Sequence, residues 1–225
     1  MNLGLEGKRI LVTGSSRGIG KGIVKTLLKE GACCTITGRN AESVNSTVHE
    51  FESEYPGKVI PIIGDFSDSK FTNGLLSEVK KVWPSIDAIV ANAGAVFPTK
   101  SLSGQHEDWD QFLKANLYTA INTVSYLKEE VSKNNGSIVF ISSIAGVEHL
   151  GAPGPYEGAK AGLNVFMKSL SRELAGDGVR VNSVSPGNIR FEGGNWDKKE
   201  KEKAAEVEKM LEEKVPLKRF GKPEE

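Results

Sequence analysis

The chain has 225 residues, with 29 Lys and Arg side chains balanced by 29 Asp and Glu side chains. That length suffices for one domain with a sizeable core. The balanced charge gives no basic excess for nucleic acid, and no apolar run approaches the ~20 residues that span a bilayer. The first residues lack a signal pattern, and the two cysteines, Cys33 and Cys34, are adjacent within an apparent strand. We therefore expect a single cytoplasmic domain over residues 1–225, without nucleic-acid, membrane or metal partners.

The first predicted strand and the glycine-rich loop after it favour dinucleotide binding. Lys8–Thr13 is a short apolar, β-branched run, which is typical of a buried parallel strand. It leads into GSSRGIG at 14–20 and then into a helical pattern. Glycines let the backbone approach a pyrophosphate, and the free N–H groups of a helix N-terminus favour its charge. The candidate contacts here are Gly14, Ser16, Arg17, Gly18, Ile19 and Gly20.

The residues after the second predicted strand, Cys33–Thr37, favour NADP(H) over NAD(H). An acidic side chain at this point would bind the adenine ribose hydroxyls. The sequence instead has Gly38-Arg39-Asn40. Arg39 offers a forked cation for a 2′-phosphate, and Arg17 in the glycine loop could add a second positive charge. The alternative is that each arginine is an ordinary solvated surface residue.

The third predicted strand, Val59–Ile63, contains Pro61, which argues mildly against a central position in a sheet. Asp65 follows it, and this short acid could reach the adenine amino group, with Phe66 beside it. The alternative for Asp65 is a cap for the predicted helix Asp68–Val82. Asn40 is a second predicted cap, for a helix that runs to about Ser53.

The fourth predicted strand, Ile86–Ala91, leads into Asn92-Ala93-Gly94, where small residues would let the backbone pack beside the cofactor. Four strands thus alternate with helical patterns, and no repeat interrupts them. This alternation predicts an α/β fold: a doubly wound parallel sheet in three αβα layers, with its ligand at the carboxyl ends of the strands.

In the second half of the chain, two polar residues occupy positions that indicate a specific role, one inside a predicted helix and one after a predicted strand. A long helical pattern covers Asp108–Lys133, and it contains Asn116. Asn is unfavourable inside a helix, so we expect its side chain to have a specific partner. The fifth predicted strand, Ser137–Ser142, delivers Ser143 at its carboxyl end, where it could bind a substrate oxygen. A sixth strand is predicted at Val179–Val184.

Tyr156 and Lys160 form the candidate catalytic pair. On a helix, the i,i+4 spacing places them on one face. A phenol has a reference pKa near ~10 and is a poor proton-transfer group at neutral pH. A neighbouring ammonium would stabilise the phenolate and lower that pKa toward the useful range. The alternative is an ordinary surface Tyr and Lys, since both residue types are common.

These features together resemble the short-chain dehydrogenase/reductase family, and most closely its 3-oxoacyl-[acyl-carrier-protein] reductase-like members. The motifs occur in the family's order across nearly the whole chain: TGSSRGIG at 13–20, NAG at 92–94, Asn116, Ser143, YEGAK at 156–160 and PG at 186–187. The resemblance implies a Rossmann-type fold and hydride transfer between NADP(H) and a carbonyl or alcohol.

The resemblance also implies roles for individual residues. Tyr156 would be the general acid in carbonyl reduction, and Lys160 would lower its pKa and bind the nicotinamide ribose. Ser143 would hold the substrate oxygen, and Asn116 would position a water that links Lys160 to solvent. The turn after strand six would add cofactor contacts at Pro186, Gly187 and Ile189.

Two departures from the family are visible in the C-terminal part. Phe191 stands where members usually have a Thr that holds the nicotinamide amide, so that amide is expected to be held by backbone at Ile189 or by another polar group. A charged helix, Asp197–Lys214, is predicted to form part of a substrate lid over about 190–215. The chain ends at Glu225, where members continue with another helix and an edge strand, so strand six or its neighbour should be an exposed edge.

The sequence therefore predicts an NADP-dependent oxidoreductase that acts on a small carbonyl or secondary alcohol and assembles as a homodimer or homotetramer. A 3-oxoacyl thioester is the substrate expected from the resemblance. A sugar derivative or another polar alcohol is an alternative substrate. A second alternative is an NADP-binding protein without catalytic activity.

Overall fold

The computed structural model describes residues 2–225, except for the side chain of Leu76, and centres on a six-stranded parallel sheet. The strands are β1 Arg9–Val12, β2 Cys33–Gly38, β3 Val59–Ile63, β4 Ala88–Ala91, β5 Ser137–Ile141 and β6 Arg180–Val184. They lie in the order β3-β2-β1-β4-β5-β6. This order reverses direction between β1 and β4, and such a reversal opens a crevice at the carboxyl ends of the strands.

Helices cover both faces of this sheet, so the predicted three-layer Rossmann-type fold is confirmed. The helices are α1 Gly18–Lys29, α2 Ala41–Glu54, α3 Ser69–Lys80, α4 His106–Leu113, α5 Thr119–Ser132, α6 Gly154–Glu173, α7 Asn195–Glu202 and α8 Ala204–Lys214. Alternate residues of β1 point to opposite sides: Ile10 and Val12 pack with α1 and α2, whereas Leu11 packs with α3, α5 and α6.

The two edge strands of the sheet are those that the sequence predicts to be unsuited to its centre or exposed. β3 is one edge strand, which explains how it tolerates Pro61. β6 is the other edge and pairs only with β5 among the described residues, leaving Val184 53% exposed. Asn40 caps α2 as predicted, since its side chain accepts a hydrogen bond from the Ser43 N–H at 2.7 Å.

Two predicted helices differ from the structure. The pattern over Asp108–Lys133 is α4 and α5 joined by a π-helical turn, Lys114–Tyr118, rather than one regular helix. The predicted helix Asp197–Lys214 is broken at Lys203, where φ is −145° and ψ is 50°. Because of the break, the two helices turn different side chains inward: α7 buries Asp197 and α8 buries Val207.

None of the helices within residues 2–225 combines the length and the apolar character that a membrane crossing requires.

Candidate active site and cofactor cleft

The glycine loop after β1 is packed tightly against the turn after β4. Gly14 has a φ of +66° and donates its N–H to Thr37 Oγ1 at 2.7 Å. A Cβ on Gly14 would lie 2.9 Å from the Ala93 Cα, and one on Gly20 would lie 2.5 Å from Asn92 Nδ2 and would also collide with the Gly14 carbonyl oxygen. These two glycines are therefore required by backbone packing at the switch point of the sheet.

Asn92 and Ala93 bind the glycine loop directly. Asn92 Nδ2 donates to the carbonyl oxygens of Thr13 at 2.9 Å and Gly14 at 3.0 Å. The N–H groups of Asn92 and Ala93 both donate to Thr13 Oγ1 at 3.0 Å. Thr13 and Thr37 thus fix the loop, although neither was predicted to be a site residue. A Thr at the carboxyl end of each of two adjacent strands was the signal that could have identified them.

The N-terminus of α1 has free hydrogen-bond donors. Arg17 is its N-cap but makes no side-chain capping bond. Within residues 2–225, the N–H groups of Gly18, Ile19 and Gly20 have no acceptor in the protein. Unpaired donors at a helix N-terminus, next to a glycine turn, fit the pyrophosphate of a dinucleotide.

The ends of β2 and β3 bring Arg39 beside Asp65, because the Gly64 N–H donates to the Gly38 carbonyl at 3.0 Å. Partial burial tends to raise the pKa of Asp65. Hydrogen bonds from the Ser67 side chain and backbone, with the charges of Arg39 and Lys114, outweigh burial and hold that pKa below its usual value.

The other predicted adenine-side residues have different surroundings. Arg17 and Arg39 are both exposed, and Ser16 lies between their elements, with its Oγ 3.1 Å from where a Cβ on Gly38 would be. Phe66 is buried in an edge-to-face contact with Phe71 at 5.4 Å, so only its backbone is available to a ligand. Asp68, not Asp65, is the N-cap of α3.

Asn116 lies in the π-helical turn and is 1% exposed. Its Oδ1 accepts from the Ala95 N–H at 3.0 Å, and its Nδ2 donates to the carbonyl oxygens of Ala95 at 2.8 Å and Phe112 at 3.1 Å. Ala95 is the specific partner expected for a mid-helix Asn. A Cβ on Gly94 would lie 2.7 Å from Asn116 Oδ1 and 3.4 Å from Lys160 Nζ, so Asn116 and Lys160 flank the same turn.

Lys160 is 4% exposed and donates its ammonium to the Ile141 carbonyl at the end of β5, at 2.9 Å. The hydroxyl of Ser142, the residue after Ile141, donates a hydrogen bond to the backbone carbonyl of Lys160 at 3.3 Å. Burial lowers the pKa of Lys160 to about 8, because the charged form loses water that one carbonyl does not replace. The charged form of Lys160 is therefore less favoured than that of a solvent-exposed lysine.

Tyr156 and Lys160 lie on one face of α6, as the spacing predicts, with Lys160 Nζ 5.9 Å from the Tyr156 ring centroid. The expected lowering of the Tyr156 pKa is wrong for this structure. Burial raises that pKa above its ordinary value, and the interaction with the Ser143 side chain opposes the rise only in part. Lys160 does not reverse it, since its ammonium is directed at Ile141 instead.

Ser143 joins this pair from the end of β5. It is buried, and as the N-cap of the short 3₁₀ turn Ile144–Gly146 its Oγ accepts from the Ala145 N–H at 3.1 Å. That capping bond fixes the side chain while leaving the hydroxyl hydrogen free to be donated. The structure thus brings Ser143, Tyr156, Lys160 and Asn116 together at one end of the sheet, next to the glycine loop.

Comparison with known proteins decides the family. The chain matches the family described as short chain dehydrogenase over residues 8–203. The chain belongs to the short-chain dehydrogenase family. As a member of this family it is an NAD(P)-dependent oxidoreductase.

Individual relatives of this short-chain dehydrogenase match along nearly its whole length. It is 36% identical to the 3-oxoacyl-[acyl-carrier-protein] reductase FabG of Thermotoga maritima, over 98% of this chain and 87% of that protein. It is 32% identical to the acetoacetyl-CoA reductase of Synechocystis, over 100% and 87%. The structure of L-sorbose reductase from Gluconobacter frateurii, complexed with NADPH and L-sorbose, superposes with a TM-score of 0.91 at 26% identity, over 100% and 88%.

In this short-chain dehydrogenase, aromatic rings form one wall beside Tyr156. Phe112 packs edge to face on Tyr156 with centroids 6.2 Å apart, and Phe97 packs edge to face on Phe112 at 5.2 Å. Phe112 is completely buried, whereas Phe97 is half-buried. Phe112 explains part of the burial of the Tyr156 ring, and Phe97 is the one of these two phenylalanines that keeps exposed surface.

The turn after β6 returns to the site through Pro186, whose carbonyl accepts the Ile144 N–H at 3.1 Å. Gly187 faces Ile144, with 3.6 Å between its added Cβ and the Ile144 Cδ1, and Ile189 forms an isolated parallel bridge with Gly221. Phe191 follows, and its ring lies against Gly18 of the glycine loop. The short-chain dehydrogenase thus has an aromatic side chain in contact with its candidate pyrophosphate site.

Proposed function

We propose that the protein reduces a ketone carbonyl with NADPH, and that Tyr156, Ser143, Lys160 and Asn116 form its active site. The observation that supports this most is the convergence of Tyr156, Ser143 and Lys160 beside the free donors of α1. The glycine loop, the turn at 92–94 and the turn at 186–189 would hold the cofactor. NADPH, when bound there, supplies the hydride.

Within the proposed mechanism, Tyr156 donates the proton that the new alkoxide oxygen requires. The Ser143 hydroxyl donates a hydrogen bond to the same oxygen and orients the carbonyl. Lys160, whose Nζ lies 5.9 Å from the Tyr156 ring centroid, does not lower the pKa of Tyr156 while it is bound to the Ile141 carbonyl, and its proposed role is to attract the phenolate once Tyr156 has given up its proton. Asn116 acts on the site by fixing Ala95 and the turn after β4 beside Lys160.

A 3-oxoacyl thioester is the substrate class that we favour. Relatives named as 3-oxoacyl-[acyl-carrier-protein] reductase and acetoacetyl-CoA reductase support it, and the half-buried ring of Phe97 offers an apolar contact for an acyl chain. The similarity to L-sorbose reductase supports a second candidate, a keto sugar or another polar ketone.

A substrate panel tests this proposal. Acetoacetyl-CoA, a longer 3-oxoacyl thioester, L-sorbose and simple cyclic ketones are each mixed with the protein and NADPH, and loss of cofactor absorbance is followed. We expect turnover with the thioesters to exceed that with the sugar, and NADPH to exceed NADH. Tight NADPH binding without turnover on any member of the panel would instead indicate a cofactor-binding protein without catalysis.

We also propose that residues 190–215 cover the substrate. Asn195 Nδ2, at the start of α7, donates to the Val96 carbonyl at 3.3 Å and so reaches across the cleft to the loop after β4. Arg190 and Lys201 anchor the segment through Asp197, with ion-pair distances of 3.0 and 2.8 Å. These contacts support a lid made of two short helices.

We further propose a cytoplasmic homodimer or homotetramer. An ion pair between Lys128 and Glu173 connects helices α5 and α6. Tyr126 on α5 and Val165 on α6 are both exposed, Val165 to 70%, and apolar side chains on a helix pair favour association. Light scattering is expected to give a multiple of the 24.3 kDa chain mass, and a monomer at micromolar concentration would contradict the assembly.

A further inference from the structure

The tip of the Phe191 ring is wedged between two glycines. A Cβ added to Gly18 would lie 2.7 Å from Phe191 Cζ and 2.8 and 2.9 Å from its two Cε atoms. The same three ring atoms would lie 2.9 to 3.0 Å from a Cβ on Gly194. Gly18 begins α1, and Gly194 directly precedes α7. The ring therefore fills the space beside Gly18 that the missing side chain leaves.

Gly18 differs in this respect from the other two glycines of its loop. The space beside Gly14 and Gly20 is taken by backbone and by Asn92, which are fixed parts of the fold. The space beside Gly18 is taken by the end of one aromatic side chain. In the proposed function, this is the face along which the pyrophosphate approaches.

The ring is a poor substitute for that pyrophosphate. The N–H groups of Gly18, Ile19 and Gly20 have no acceptor within the described part of the protein. Aromatic carbon atoms accept N–H hydrogen bonds only weakly, whereas phosphate oxygens at a helix N-terminus accept them well. The ring and the pyrophosphate thus compete for one face of α1, and only the pyrophosphate satisfies the donors.

The backbone around Phe191 is held on both sides. The Arg190 N–H donates to the Gly221 carbonyl at 2.9 Å, and the Gly194 N–H donates to the Phe191 carbonyl at 3.0 Å. Asp197, 3% exposed, fixes the same loop by accepting the Gly193 N–H at 3.0 Å. A change at this position is therefore a rotation of the side chain and does not require the lid to unfold.

We propose that Phe191 is an autoinhibitory cover of the cofactor site, whose ring must leave Gly18 before the dinucleotide can bind. The proposal rests on the proposed function, since it assigns a regulatory role within the same cofactor cleft. Side-chain rotation is fast compared with ligand binding. The covered and open states are thus in rapid equilibrium, and the apparent association rate is lowered by the fraction of molecules that are open.

Two variants remove the cover in different ways. Phe191→Ala deletes the ring. Gly194→Ala keeps the ring but places a methyl group 2.9 to 3.0 Å from its tip, too close for the ring to stay, at a residue whose φ of −76° suits any side chain. Gly74→Ala on α3 is the matched control, because a Cβ there would meet no atom within 4 Å. NADPH binding to each full-length protein is followed by fluorescence titration and by stopped flow.

Both Phe191→Ala and Gly194→Ala should bind NADPH about tenfold more tightly than the wild type, the factor expected if roughly one-tenth of molecules are open. The gain should lie in the association rate constant, with the dissociation rate constant unchanged, and Gly74→Ala should match the wild type. Unchanged or weaker binding in either variant would overturn the proposal. A slower dissociation without faster association would overturn it too.

The outcome is separable from that of the proposed function. If the wild type turns over substrates of the panel and both variants bind NADPH as the wild type does, the reductase proposal is retained and the autoinhibitory role of Phe191 is rejected. If both variants bind NADPH more tightly but no substrate is turned over, the autoinhibitory role of Phe191 is retained and the reductase proposal is rejected. Failure of the wild type and both variants to bind NADPH at millimolar concentration would overturn both.

Discussion

Tyr156→Phe should lower the rate of NADPH-dependent carbonyl reduction by about 10²–10⁴-fold, the contribution typical of a positioned general acid. The substitution removes one oxygen atom and keeps the ring that packs on Phe112 at 6.2 Å. The apolar wall and α6 should therefore be preserved. The measurement is the turnover number on the best substrate of the panel, with NADPH saturating.

NADPH affinity supplies the control for this variant. The glycine loop and Arg39 are untouched, so the dissociation constant for NADPH should stay within about twofold of the wild-type value. A variant that turns over at the wild-type rate would show that Tyr156 is not the proton donor. A loss of activity accompanied by loss of cofactor binding or of the folded circular dichroism spectrum would trace the effect to packing.

The pH profile distinguishes the phenol from other acids. Lys160 has a pKa lowered to about 8 by burial, so it is charged below that value and neutral above it. As pH rises through about 8, the phenolate loses its stabilising cation and Tyr156 becomes a weaker acid. Wild-type reduction should therefore slow above pH 8. The residual activity of Tyr156→Phe should not show this decrease, because the variant has no phenol for Lys160 to act on.

Local patterns were sufficient to predict the elements and much of the site. Val59–Ile63 is a strand over the predicted residues, and the cap at Asn40 follows from its own helix start. Tyr156 and Lys160 share a face of α6 because helical spacing requires it. These features depend on residues close together in sequence, and for that reason a single sequence reveals them.

Features that depend on distant contacts were not predictable. The π-helical turn at Lys114–Tyr118 has no breaker residue, and it coincides with the pairing of Asn116 with Ala95 on another loop. The pKa of Tyr156 rises because burial outweighs the hydrogen bond with the Ser143 side chain, and burial is known only once α6 is packed. The contact of Phe191 with Gly18 joins residues that are far apart in the sequence, so the residues around each of them give no indication of it.

Arg39→Asp should reverse the cofactor preference. In the wild type, Arg39 is exposed at the end of β2 beside Asp65, where a 2′-phosphate on the adenine ribose would meet its guanidinium. A hydrogen bond between charged groups contributes roughly 1.5–3 kcal/mol, so NADPH should bind about 10 to 150 times more weakly. NADH should gain, because the new carboxylate can accept hydrogen bonds from the free ribose hydroxyls. Binding of both cofactors is measured by fluorescence titration.

Salt dependence and a distant arginine complete the test. The Arg39–phosphate contact is exposed, so raising ionic strength should weaken NADPH binding to the wild type more than to Arg39→Asp.

Arg172→Asp makes the same charge change, but Arg172 lies 16 residues beyond Tyr156 on α6, about 24 Å along the helix axis. It should leave the ratio of NADPH to NADH affinity unaltered. If Arg39→Asp also left that ratio unaltered, Arg39 would be an ordinary surface residue, and the 2′-phosphate would have to be bound elsewhere, with Arg17 the nearest alternative.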